Sequence, residues 1–550
     1  MSAALRLLAA LGFGTVVAYG LAWRDGISDA RWLGLLAAGW LLLLLAAWPR
    51  LPATTPTFNR TALHTATLIV TVFVVLSVQL VRIQIVASRA TVERVATDPL
   101  SAEVIANPRI QIDDLEIRRG TVRDRRGTIL AQTLFDGGVA RRVYPDPESG
   151  YVVGYFSPLL YGKDGLEATY DAELSGQNGN NAVVRGLDDL LNRPRRGLDL
   201  DLTLDAELQR AAHVLLADRP GAAVLLDVET GAVLALASNP HYDPNALFTA
   251  SPGERDAAAG YWSSLIEDPL SPLLHRAVDA RFTPGSTFKV LTAAAVIDAG
   301  FATPDDVYED NGQLDVDGHI VVEYNRPDDT RDAWTLREGL AWSLNVVFAR
   351  VGLELGPSVM RDYAARFGFG AAPPFDLPVI PSQLASSPEF VDAPPALADT
   401  GFGQGEILAT PLQMALVAAA VANDGVIMRP TLVAALRDAD GDAVRGGEPR
   451  PWQTPITADT AAQVQDMMVY NVESGIAQAA LVDGYTVGGK TGTAETGDGD
   501  SHAWFIGFIG EPNEPPRYAV AVVLERGGTG LVEALGVGRD LLVAGMEATE

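Results

Sequence analysis

Three apolar runs open the chain. "LLAALGFGTVVAYGLAW" lies between Arg6 and Arg24, "WLGLLAAGWLLLLLAAWP" between Arg31 and Arg50, and "TALHTATLIVTVFVVLSVQLV" between Arg60 and Arg82. Each approaches the roughly 20 apolar residues that cross a bilayer as a helix. Trp23, Trp32 and Trp48 stand at the ends of the first two runs, where an indole's mixed polarity suits the interface. The pattern predicts three membrane spans within residues 1–83. Three successive runs do not read as a cleaved signal peptide.

Beyond Arg82 the periods shorten. "VRIQIVASRATVERVATDP" (81–99) predicts a helix. Thr121/Val122 and Ile129/Leu130 flank "DRRG" (124–127) and predict a hairpin. "GLEATYDAELSG" (165–176) carries Leu166, Tyr170 and Leu174 four apart, a helical rhythm. "NRPRRG" (192–197) reads as a linker. A new unit then begins, with a helix capped by Thr203 or Asp205. "GAAVLLDVETGAVLALAS" gives two apolar runs about Glu229-Thr230-Gly231, a second hairpin. Helical patterns fill the middle. "YTVGGKTGTAE", "HAWFIGFIG" and "RYAVAVVLE" predict three strands, and "LVEALGVGRDLLVAGMEA" a closing helix. Strands at both ends of the unit with helices between them predict one sheet that joins its first and last segments. The fold class expected is α+β, in three parts: a membrane region at 1–83, an exported segment at 84–200 and a mixed sheet-and-helix unit at 201–550.

Composition narrows the chemistry. The 550 residues are 48% apolar, lack cysteine and carry a formal net charge of −28. There is no thiol nucleophile, no disulfide and no cysteine-based zinc site. So acidic a surface argues against nucleic-acid binding, which needs positive charge against phosphate. No cofactor or metal is expected. The loop "RDGISDAR" balances its charges, whereas "PRLPATTPTFNR" carries only positive ones. Positive residues stay in the cytoplasm, so the N-terminus is expected inside and everything after Arg82 outside.

Of 41 basic residues only Lys163, Lys289 and Lys490 are lysine. Arginine stays protonated, whereas a buried lysine can lose its proton near neutral pH. Lys163 reads as a chance survivor. Lys289 follows Ser286 by three residues, after Pro284-Gly285 and ahead of the apolar helical pattern "STFKVLTAAAVIDAG". That places a hydroxyl and an amine one turn apart at a helix start. A serine is a poor nucleophile until a base takes its proton, and a helix N-terminus offers N–H groups to an oxyanion. "AWSLNVVFARVG" supplies Ser343 and Asn345 in an apolar setting, and Lys490, Thr491, Gly492 and Thr493 lie on a predicted strand. There Gly492 permits close backbone approach, and the lysine and threonines could hold a carboxylate.

In order, S-T-F-K, S-L-N and K-T-G-T resemble the serine penicillin-recognising enzymes. "RRGTVRDRRGTILA", "GLEATYDAEL", "PGSTFK" and "TGFGQGEILATPLQMA" narrow the resemblance to class B penicillin-binding proteins, in particular the actinobacterial penicillin-binding protein A group, over roughly residues 83 to 545. The resemblance implies an elongated β-rich pedestal module at 84–200 and, at 201–550, a transpeptidase domain with a central antiparallel sheet flanked by helices. It implies a peptidoglycan D,D-transpeptidase acting through a serine acyl-enzyme and inhibited by β-lactams. Ser286 would attack the penultimate D-Ala carbonyl and Lys289 would be the base. Ser343 would relay a proton to the leaving D-Ala, and Asn345 would bond the stem peptide and Lys289. Lys490, Thr491 and Thr493 would take the terminal carboxylate, and the N–H groups of Ser286 and Thr493 would form the oxyanion hole. The implied partners are stem peptides and a membrane-embedded glycosyltransferase of the shape, elongation, division and sporulation family.

The chain departs from the family in having three expected spans where one is usual. Three alternatives stay open at this point. A membrane-bound β-lactam sensor would carry H-E-x-x-H, but none of the six histidines is followed by glutamate. A β-lactamase would not need residues 84–200. A non-catalytic scaffold of the wall-synthesis complex would not need the motifs intact.

Overall fold

A computed structural model describes residues 2–22, 28–83, 96–97, 104–105, 115, 117–136, 139–177, 196–249, 251–495, 501–527 and 532–548. Its contacts divide the chain into two units, Met1–Asp114 with Asn181–Arg193, and Leu115–Asn180 with Pro194–Glu550.

The first unit holds α1 (Ala3–Ala22), α2 (Asp29–Ala47) and α3 (Thr57–Val81). All three are long and apolar enough to cross a membrane. Without a hydrophobic drive in lipid, such helices associate through small residues and hydrogen bonds. Both are present. The Trp32 ring lies so close to Gly20 that a Cβ there would sit 2.2 Å from it. Toward α3, Trp32 Nε1 donates to Gln79 Oε1 at 2.5 Å and Trp40 Nε1 to Thr71 Oγ1 at 3.2 Å. Arg82 is buried, with its guanidinium 4.6 Å from the Trp32 ring centre and Nε donating to Gly20 O at 3.4 Å. Gln79 and Thr71 of α3 thus each have a tryptophan partner on α2. The helix expected over 81–99 falls largely outside the described residues. Of it, Ala96–Thr97 is extended and pairs antiparallel with Val104–Ile105, a correction to the helical reading.

The second unit is built on a five-stranded sheet of β1 (Gly221–Asp227), β2 (Val233–Asn239), β3 (Thr486–Glu495), β4 (Ser501–Gly510) and β5 (Tyr518–Leu524). The order is β2-β1-β5-β4-β3, antiparallel throughout. The first and last segments do meet: β1 pairs with β5. Its strands are apolar on both faces because both are covered. Ala222, Val224 and Leu226 join one core, and Ala223 and Leu225 the other. Helices α4 (Ala206–Leu216) and α9 (Glu533–Glu547) cover the second face. The cap of α4 is Asp205, whose carboxylate accepts from the N–H groups of Glu207 and Leu208. The first face carries α5 (Lys289–Asp298), α7 (Pro411–Ala422) and α8 (Ala458–Ser474). Every residue of α7 is buried, as expected of a helix apolar all round. Between α5 and α7 runs α6 (Asn345–Arg366), broken at Gly356 (φ +73°) ahead of Pro357.

A second sheet orders Ala443–Gly446, Val433–Arg437, Asp199–Leu202, Val122–Arg123, Ile129–Asp136 and Val139–Val143. The hairpin about "DRRG" is present, with Val122 opposite Ala131. Asp199–Leu202 pairs with Val122–Arg123 on one side and Val433–Arg437 on the other. The expected boundary at 200/201 thus runs through a strand that ties residues 115–177 to the rest of this unit.

"GLEATYDAEL" forms two short helices, Gly165–Thr169 and Asp171–Leu174, that part at Tyr170. They present Glu167, fully buried, to two arginines. Arg119 Nε donates to it at 2.9 Å and Arg142 Nε at 2.5 Å, and Tyr144 OH lies at 3.4 Å. Burial raises the proton affinity of Glu167, and Arg142 with Arg119 more than offsets this, holding the carboxyl below its usual range. Removing one member of such a group strands the others without water. Glu167→Ala is expected to destabilise the unit by about 3–5 kcal/mol, read as a lowered denaturation midpoint.

Candidate active site

Ser286 lies in a 3-10 turn, Gly285–Phe288, and α5 begins only at Lys289. The α-helical start expected at Ser286 is one turn late. A 3-10 turn has three residues per turn, so Ser286 and Lys289 come to the same side. Burial of Thr287 and Phe288 turns those two side chains inward and leaves Ser286 half-exposed. The turn is held from outside: Trp504 Nε1 donates to Thr283 O at 2.9 Å, and Phe282 pairs its backbone with Ala409.

The turn packs backbone to backbone on β3. Gly285 sits at φ +53°, and a Cβ on it would lie 2.5 Å from Thr493 O. A Cβ on Gly492 would lie 2.9 Å from Pro284 O and 3.1 Å from Thr287 N. The glycine in the strand is there for close approach. The "TGFGQG" loop closes on the same turn, where a Cβ on Gly403 would overlap Gly285 O at 1.9 Å.

Ser343 is the junction of two helices, Leu336–Ala341 and α6. Its φ of +60° is unusual for a residue with a side chain, and such strain collects at functional sites. In that conformation Ser343 presents both its oxygens to Lys289 Nζ, the carbonyl at 2.6 Å and the hydroxyl at 3.3 Å. Asn345 Oδ1 completes the set at 2.8 Å. From the other side Lys490 Nζ donates to the same Ser343 Oγ at 2.8 Å and to Thr491 O at 2.9 Å.

Two fully buried amines therefore share one hydroxyl. Burial pushes Lys289 down to about 7, against a smaller upward pull from Glu323. Lys490 is pushed well below the usual lysine range by burial and by repulsion from Lys289. A chain Lys289–Ser343–Lys490 of this kind can accept a proton near neutral pH and pass it along. An incoming carboxylate would favour the charged form of Lys490. Thr491 Oγ1 is buried and has no hydrogen-bond partner among the described residues, which suits a donor held for a ligand. Thr493 is half-exposed, two residues along β3. All eight residues singled out in the sequence thus come to one place: Ser286, Lys289, Ser343, Asn345, Lys490, Thr491, Gly492 and Thr493.

A model of the penicillin-binding protein transpeptidase domain matches residues 221–541. The chain belongs to the penicillin-binding protein transpeptidase family. Similar over most of their length are two mycobacterial proteins of that family. The peptidoglycan D,D-transpeptidase PbpA of Mycolicibacterium smegmatis is 35% identical over 489 residues, 85% of this chain and 97% of that protein. The PbpA of Mycobacterium tuberculosis is 33% identical over 479 residues, 83% and 95% respectively. Among solved structures, a ceftriaxone acyl-enzyme complex of M. tuberculosis penicillin-binding protein A superposes with TM-score 0.73 at 32% identity. It covers 79% of this chain and 99% of that one. In this member of the family the spacing of the motifs pointed to the serines, the two lysines and the threonines gathered here. It did not point to Phe348, whose ring centre lies 5.7 Å from Lys289 Nζ, nor to Glu323. Each touches the site through folding alone.

Proposed function

We propose that this chain is a membrane-anchored serine D,D-transpeptidase that cross-links peptidoglycan stem peptides and is acylated by β-lactams. The observation that carries the reading is the buried Lys289–Ser343–Lys490 chain beside the Ser286 turn. Ser286 Oγ attacks the penultimate D-Ala carbonyl and its proton passes to neutral Lys289. The C–N bond breaks, and the terminal D-Ala amine takes the proton by way of Ser343. An amine of a second stem peptide then attacks the ester, forms the cross-link and frees Ser286. Asn345 orients Lys289 and the stem backbone. Lys490, Thr491 and Thr493 bind the terminal carboxylate, and the Ser286 and Thr493 N–H groups hold the oxyanion.

The membrane region is taken as 1–83, the pedestal as 84–200 and the transpeptidase domain as 201–550. The positive loop before α3 supports an inside N-terminus and an extracytoplasmic catalytic unit. A membrane-embedded glycosyltransferase of the shape, elongation, division and sporulation family is the partner proposed for the pedestal and α3.

Nitrocefin separates this reading from a β-lactamase. One equivalent should open in a burst, followed by negligible steady hydrolysis. Sustained turnover would make the protein a hydrolase. The pH dependence has a sign. The base works as the neutral amine, so the acylation rate should be flat above about pH 7 and fall tenfold per unit below it. A rate that rises on acidification would remove Lys289 from the role of base.

A further inference from the structure

The first N–H groups of a helix lack intrahelical acceptors. At the start of α6 the N-cap residue, Leu344, offers no side-chain oxygen. The acceptor comes instead from 23 residues upstream: Glu323 Oε2 takes the Val346 N–H at 3.0 Å. Its other oxygen takes the N–H groups of Tyr324 and Asn325 at 3.0 and 3.2 Å. Glu323 follows directly on the hairpin Gln313–Val316/His319–Val322. It thus clamps that hairpin to the turn carrying Ser343 and Asn345, both of which hold Lys289 Nζ.

The same carboxylate faces a charge problem. Lys289 and Lys490 are both fully buried and bond one hydroxyl. Lys490 is repelled by Lys289. Among the described residues, Glu323 is the carboxylate that attracts it. Glu323 itself is raised by burial and by Asp310, and lowered by Lys289 and its backbone bonds. Asp310 is fully buried and its Oδ1 accepts from Gly312 N at 2.9 Å.

We infer that Glu323 is a positioning residue for Lys289: it caps α6 and ties the preceding hairpin to it, so that Ser343 and Asn345 meet the amine. The inference deepens the proposed function, since it rests on Lys289 serving as the base. A base must be neutral before the attack and hold the proton during it, and the Glu323 carboxylate, which attracts Lys289, bears on both demands.

The scarcity of lysine makes a direct test possible. Protein labelled with 13C at lysine Cε should give three titrating environments, Lys163, Lys289 and Lys490, assigned by single replacement with arginine. Glu323→Gln keeps an acceptor for Val346 N–H and removes the charge. The Lys289 midpoint should then fall by roughly 0.5–1 pH unit, and the acid limb of penicillin acylation should move with it. Glu323→Ala, lacking the cap as well, should also lower the plateau rate at least about tenfold, with Gln restoring most of it. An unchanged Lys289 midpoint in Glu323→Gln overturns the charge role. Equal plateau rates for Ala and wild type overturn the positioning role. A midpoint that moves while acylation does not follow removes Lys289 as the base, and with it the proposed function on which the inference rests.

Discussion

Ser286→Ala should abolish covalent labelling by fluorescent penicillin. Alanine keeps the Cβ and removes only the oxygen that forms the ester. The surrounding turn does not depend on that oxygen. Gly285 seats it on β3, Phe288 is fully buried beneath it, and Trp504 fixes Thr283. Thermal unfolding should therefore be unchanged within about 0.5 kcal/mol, as for substitutions away from structural features. Intact mass after penicillin treatment should show the adduct on wild type, on the peptide containing Ser286, and none on the variant. An adduct of equal yield on the variant would place the nucleophile elsewhere.

Lys289→Arg should slow acylation by roughly 10² to 10⁴, the usual contribution of a general base. The guanidinium cannot give up its proton in a protein. It would also fix a permanent charge where Lys490 Nζ already approaches Ser343 Oγ at 2.8 Å. Its planar fork does not fit the three oxygens that now converge on one nitrogen: Ser343 O, Ser343 Oγ and Asn345 Oδ1. Stopped-flow acylation at pH 8 measures this, with circular dichroism as the check on folding. An arginine variant within a few-fold of wild type would mean that another group takes the proton.

Local signals made much of this architecture legible in the sequence. Glu229-Thr230-Gly231 announces the β1–β2 hairpin because Asp227 Oδ1 can bond the Thr230 N–H within four residues. Asp205 announces α4 because its carboxylate bonds N–H groups two and three residues on. The eight candidate residues could be singled out because three short motifs carry lysines and hydroxyls in apolar company. Contacts between distant segments were not readable. Glu323 sits in "HIVVEYN", an unremarked strand end, and its bond to Val346 exists only after the hairpin folds back. The "GLEATYDAEL" rhythm hid a break at Tyr170, whose hydroxyl is drawn to Asp376 Oδ1 at 2.8 Å, far along the chain. The 3-10 geometry at Ser286 follows from the pressure of β3 and the Gly403 loop, which no local propensity encodes.

The pairing of β1 with β5 also sets an order of events in biosynthesis. Gly221 faces Leu524 and Asp227 faces Tyr518, so one side of the first hairpin leaves the ribosome long before its partner exists. Until then it is an open apolar edge, the kind that pairs with the wrong chain. Closing it requires a loop spanning nearly the whole unit, and such non-local closure is slow. Lys490 arrives on the same late segment, two strands from that seam. A chain stopped before β3 therefore carries Ser286 and Lys289 without Lys490, and the sheet behind them closes only when β5 is made.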